Sequence, residues 1–117
     1  MHEDRADKQN TPPRIRVVLA DSSLMLRRAM ARILGKTPDI ALVSTAETAM
    51  ETLAALRNLQ PDALILDLAG NGLDGLRVLR QIRKERLRCS VVLFSTQTME
   101  SAESTIHGME LGASDFV

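Results

Sequence analysis

Three short apolar runs in this chain stop in the same manner. The run "RIRVVLAD" (14–21) ends at Asp21, "ALILD" (63–67) at Asp67 and "SVVLFS" (90–95) at Ser95. Runs this continuously apolar read as strands covered on both faces, the pattern of a parallel sheet. Stretches of helical period separate them. Ser22 or Ser23 can cap a helix in which Leu26, Met30, Ile33 and Leu34 recur in phase, closed by Gly35 and Pro38. The run "IALVS" (40–44) reads as a further strand, and residues 45–59 as a helix carrying Met50, Leu53, Leu56 and Leu59. A third helix runs from Leu76 through Leu79 and Ile82 to about Arg86, and a fourth covers 98–112. The final "ASDFV" (113–117) begins a fifth strand. Strands alternating with helices imply right-handed crossovers and an α/β sheet with helices on both sides.

The 117 residues make one domain with a single core. Residues 1–13 have no periodicity and end in two prolines, as a flexible N-terminal tail does. A net charge of zero gives no electrostatic ground for binding nucleic acid or a membrane surface. Only Phe94 and Phe116 are aromatic, too few for a base-stacking platform. The single cysteine, Cys89, cannot form an internal disulfide and fits a reducing cytoplasm. No run is long enough to span a membrane, and the start of the chain is polar rather than signal-like.

Ligands of such sheets bind beyond the carboxyl ends of the strands. Any one of the three endings is unspecific, since Asp67 alone reads equally well as the start of a turn. Together they bring two carboxylates and a hydroxyl to one crevice. Two carboxylates there repel unless a cation lies between them, and hard oxygen ligands suit magnesium, which completes its shell with water and phosphate oxygens. That chemistry is phosphoryl transfer, in which an aspartate can itself be the nucleophile and Ser95 can bond a phosphoryl oxygen. There is no glycine-rich phosphate loop with its lysine. His2 falls in the tail, and His107 reads as an ordinary helix-edge residue. The basic run Arg77, Arg80, Arg83, Lys84, Arg86 and Arg88 reads as a solvated face more readily than as a partner surface.

The segments "IRVVLADSSLMLRRAM", "PDALILDLAGNGLDGLRVLRQI", "VVLFST" and "GMELGASDFV" follow one another in the order and spacing of a known family. From residue 14 to residue 117 the chain resembles the receiver domain of two-component response regulators, and among these the N-terminal receiver of chemotaxis protein-glutamate methylesterases. The resemblance implies a flavodoxin-like, doubly wound, five-stranded parallel sheet of order 2-1-3-4-5. It implies Asp67 as phosphoacceptor and Asp21 as a metal ligand, with the backbone carbonyl of Ala69 as another. Ser95 matches the hydroxyl that contacts the phosphoryl group and switches with it, and Phe116 the aromatic that follows. Thr96 sits where the family controls access to the phosphoaspartate.

Two positions depart from the family. The second acid of the usual pair is Ser22, which weakens the expected Mg2+ site. The loop after Asp67 reads Gly70-Asn71-Gly72 instead of the usual Met-Pro-Gly, which leaves it less constrained. The family's phosphoryl-contacting lysine would fall just past Val117. The last strand and final helix are therefore expected to be truncated, leaving Met30 and Leu34 without their cover. Two functions stay open: a phosphoacceptor that switches an output, and a pseudo-receiver that binds protein without phosphorylation. Asp67, Asp21 and Ser95 favour the first, Ser22 the second. The segment itself is not expected to be an enzyme, although a methylesterase or other effector domain would lie downstream. The implied partners are a sensor histidine kinase, an effector domain or protein, and a second copy in a homodimer.

Overall fold

The computed structural model describes residues 14–68, 73–94 and 115–116. Five parallel strands form one sheet: β1 (Ile15–Ala20), β2 (Ile40–Ala46), β3 (Ala63–Asp67), β4 (Ser90–Phe94) and β5 (Asp115–Phe116). Their order is β2-β1-β3-β4-β5, as expected. Three described helices connect them: α1 (Leu24–Gly35), α2 (Ala49–Leu59) and α3 (Gly75–Glu85). The chain steps from β1 to one side for β2 and back to the other for β3. Right-handed crossovers therefore put α1 on one face of the sheet and α2 and α3 on the opposite face.

Strand register sorts the core into rows. Val18, Leu64 and Val91 lie side by side, as do Ala20, Leu66 and Leu93, and all six are buried. They form one cluster with Leu53 and Leu56 of α2 and Val78, Leu79 and Ile82 of α3. Val17, Leu19 and the α1 residue Leu34 are buried outside that cluster, on the other side. Each helix begins at a side chain that accepts a backbone N–H: Ser23 from Leu26, Thr48 from Glu51 and Asp74 from Arg77.

The second strand and helix are divided differently from the sequence reading. β2 runs to Ala46, and α2 starts at Ala49 rather than at residue 45. Ladder pairing decides it: Thr45 lies opposite Leu19 and Ala46 opposite Ala20. A register shift between Val17 and Val18, where Val43 is skipped, lets β2 keep pace with β1. Met50 and Ile33, in phase with their helices' apolar residues, are 78% and 60% exposed. The buried side of α2 is instead Ala49, Thr52, Leu53 and Leu56, and Thr52 satisfies its hydroxyl on the Thr48 carbonyl at 2.7 Å. The tail (1–13) and the predicted helix at 98–112, with His107, lie outside the described residues.

Candidate functional site

The carboxyl ends of β1 and β3 are neighbours, because Ala20 pairs with Leu66. Asp21 and Asp67 are the next residues on adjacent parallel strands, which run about 4.8 Å apart. Both side chains are almost wholly withdrawn from solvent, at 0% and 4% exposure. The two carboxylates that strand grammar singled out are therefore brought together.

Asp21 is held tightly by its surroundings. Its N–H donates to the Ala46 carbonyl at 3.0 Å. Its Oδ1 accepts the Ser23 N–H at 2.8 Å, so the same loop that caps α1 fixes the carboxylate. Arg27, one turn into α1, donates Nη1 to the Asp21 carbonyl at 2.7 Å and Nη2 to Glu47 at 3.2 Å. Asp21 Oδ2 is buried and has no hydrogen-bond partner among the described residues. A buried carboxylate oxygen left bare is costly, and a cation is what relieves it. Ser22 lies beside it, half-buried.

Asp67 is positioned by the strand to one side and a helix start to the other. It pairs with Phe94, and Leu68 N–H continues the ladder to the Phe94 carbonyl at 3.2 Å. Gly75 opens α3 directly against this strand end. A Cβ there would stand 2.6 Å from Leu68 Cδ2 and 3.1 Å from the Asp67 carbonyl oxygen. Only glycine permits that approach without a shift.

Other predicted site residues are only partly described. Phe116 is on β5 beside Leu93, with its side chain outside the described residues. Ala69, the Gly70-Asn71-Gly72 loop, Ser95 and Thr96 also lie outside them. Ser95 follows Phe94, the last residue of β4, in the chain. Among the described residues no group of three or more histidines, cysteines or acids could hold a metal. Two carboxylates suffice for an ion that keeps most of its waters, and the bare Asp21 Oδ2 fits that need.

Sequence reasoning missed Arg27 and Gly75. Nothing in the sequence around Arg27 marks it as reaching back to the Asp21 carbonyl, a bond that only the fold makes. The only signal for Gly75 was a glycine just after the capping Asp74, which by itself marks a turn as readily as a close approach.

The response regulator receiver domain model matches residues 17–117. The chain belongs to that family. This receiver domain is 42% identical over 103 residues to a protein-glutamate methylesterase/protein-glutamine glutaminase 1 of Oleidesulfovibrio alaskensis, and 41% identical to a similarly named protein of Nitratidesulfovibrio vulgaris. Each match covers 88% of this chain but only 28% of the relative, so the chain spans little more than a quarter of the proteins it matches. Among solved structures it resembles the response regulator domain of Thermotoga maritima CheB. There the TM-score is 0.79 at 31% identity, covering 89% of this chain and 77% of that one. It also resembles a chain from a complex of the CheA3 P1 domain with CheY6 of R. sphaeroides, with a TM-score of 0.74 at 25% identity over 91% and 82%. Among the described residues no helix is long and apolar enough to cross a membrane.

Proposed function

We propose that this receiver domain takes a phosphoryl group on Asp67 from a sensor histidine kinase and passes the change to an output. The observation that carries this reading is the adjacency of Asp67 and Asp21 at the carboxyl edge of the sheet. An oxygen of the Asp67 carboxylate attacks the phosphorus of a phosphohistidine. The P–N bond breaks, an acyl phosphate forms, and the imidazole nitrogen takes its proton from solvent. Asp21 and Asp67, with the Ala69 carbonyl, would hold Mg2+, which supplies charge neutralisation for the transferred group. Ser22 contributes a neutral oxygen where the family has a carboxylate, so that affinity is low. Ser95 then bonds the phosphoryl group, Phe116 packs inward behind it, and Thr96 governs how water reaches the acyl phosphate. This is a shift between two packings, biased by the new contact.

The chain from 14 to 117 is the receiver unit, with 1–13 as its tail, and it works in the cytoplasm. It is not itself an enzyme. Its relatives support a methylesterase as the output it controls in a longer protein. The CheY6 complex with the CheA3 P1 domain supports a kinase of the chemotaxis type as the donor.

Ser22 favours a second reading, a receiver that binds partners without being phosphorylated. Incubation with Mg2+ and acetyl phosphate separates the two. A phosphate-sized mass gain that is lost in Asp67→Asn supports the first reading. No gain at any magnesium concentration supports the second.

A further inference from the structure

Away from the two aspartates, at the amino-terminal ends of β3 and β4, the described residues enclose a cleft of about 420 Å³. That volume lies in the range of pockets that seat small ligands and side chains, about 300–1,000 Å³. Leu56, Pro61 and Leu87 give it an apolar floor, and Arg86 and Arg88 stand exposed at its rim. Two other charged lining residues are already engaged. Arg57 is paired with Glu85, its Nε donating at 2.8 Å, and the Asp62 carboxylate accepts the Arg16 N–H at 2.8 Å. Arg86 and Arg88 have no side-chain partner among the described residues.

The ends of α2 and α3 both reach this cleft, and helix C-termini attract cations. That accounts for Arg16, whose Nη1 donates to the Leu59 and Gln60 carbonyls at 2.8 and 3.2 Å. It accounts too for Arg57, Arg83 and Lys84 in the last helical turns. It does not account for Arg88, which is beyond the helix, and Arg86, the cap residue of α3, has no side-chain partner among the described residues. The backbone sharpens the point. Gln60 (φ 48°) and Arg86 (φ 57°) end their helices in the left-handed conformation, where glycine is cheapest, and both line the cleft. Charge is segregated here as well. The stretch 77–88 has Arg77, Arg80, Arg83, Lys84, Arg86 and Arg88 against Glu85 alone, in a chain of zero net charge.

We propose that this cleft docks an acidic polypeptide segment, with an apolar side chain seated on Leu56 and Leu87 and flanking carboxylates paired with Arg86 and Arg88. Guanidinium groups match carboxylates through paired N–H donors, and the exposed cations of α3 draw an acidic chain toward the cleft. The apolar floor favours a peptide over a nucleic acid, because it leaves a backbone phosphate nothing to bond. The surface is independent of the role given to Asp67.

The test is fluorescence polarisation of the whole 117-residue chain with a fluorescein-labelled peptide of glutamates around a central leucine, at low salt. Saturable binding is expected, weakened about tenfold or more by Arg86→Glu with Arg88→Glu. Arg86→Gly removes the guanidinium and relieves the left-handed backbone. It should weaken binding about fivefold while leaving the melting temperature at or above that of the parent. Replacing the central leucine by serine should also weaken binding. Charge reversal of Arg28 and Arg32 on α1 should change affinity less than about twofold, since they lie elsewhere. Equal losses from both reversals, no binding, or tighter binding of a DNA duplex through the same arginines would each overturn the proposal.

Discussion

The two faces of the sheet are covered to different extents among the described residues. On the side of α2 and α3, two complete rows of side chains across β1, β3 and β4 are at most 2% exposed. On the side of α1, Val17 and Leu19 are buried, but their neighbours Ile65 and Val92 are only half-buried. The first face fixes strand register, and register is what sets Asp21 beside Asp67. The second face is less fully covered, and among the described residues α1 is its only helix. The carboxylate pair therefore hangs on the first face, whose rows run across β1, β3 and β4 and end beside Asp21 and Asp67.

Truncations on the two faces make the contrast measurable. Leu66→Ala or Leu93→Ala removes a fully buried side chain from the packed face and should cost about 2–5 kcal/mol. Val92→Ala, on the other face of the same strand, should cost about 1 kcal/mol. Urea titration of the three variants reads the difference directly. Equal losses would mean that the two faces are equally packed.

The next largest effect is expected where the packed face meets the site. Gly75→Ala places a methyl 2.6 Å from Leu68 Cδ2 and 3.1 Å from the Asp67 carbonyl. Leu68 can swing aside, but the carbonyl belongs to the strand, so strand and helix must part by a few tenths of an ångström. A loss of about 1–3 kcal/mol is expected, and, on the role proposed for Asp67, slower phosphate uptake from acetyl phosphate. Unchanged uptake alongside the stability loss would separate the helix start from the chemistry.

These residues also show what the sequence could and could not convey. Strands ending in Asp21 and Asp67 were legible because burial on both faces leaves an apolar run, and a carboxylate interrupts it visibly. The parallel sheet followed from the alternation of strands and helices, and the first cap was narrowed to Ser22 or Ser23, of which the structure uses Ser23. The end of β2 was not legible. Thr45 and Ala46 continue a helical phase, and only the ladder with Leu19 and Ala20 holds them extended. Nor was the buried side of α1, since Ile33 and Leu34 look alike until packing exposes one and buries the other, and Leu34, expected to lack its cover, is buried. Arg27 bonding the Asp21 carbonyl and Arg57 meeting Glu85, 28 residues away, depend on folding and leave no local trace.

Asp21 provides a smaller effect of opposite sign. Asp21→Asn keeps an acceptor for the Ser23 N–H but removes the buried charge behind the bare Oδ2. Without metal the variant should be more stable than the parent by about 1 kcal/mol. On the proposed metal role of Asp21, Mg2+ should raise the parent's melting temperature and leave the variant's unchanged, because bound ligand stabilises only a competent site. Thermal melts with and without magnesium check both signs. A variant less stable than the parent in the absence of metal would mean that the Asp21 charge is already satisfied.

The smallest effect belongs to the pair that joins α2 and α3 across the packed face's outer edge. Hydrogen bonds from Arg57, then from Gln81, pull the Glu85 carboxyl down from its ordinary 4.5 to about 2. A group depressed on folding adds stability above its unfolded value and loses it as pH falls toward the folded one. Glu85→Gln should therefore trail the parent by a small, constant margin from neutral pH down to about 4.5, and that margin should close between there and pH 2. Because both side chains are in contact with solvent, added salt should shrink the margin at neutral pH as well. Urea titrations of parent and variant across that range give the margin at each pH. If it persisted at pH 2 or ignored salt, the two helices would be held by packing alone, and the ion pair would have no part in the rigidity of that face.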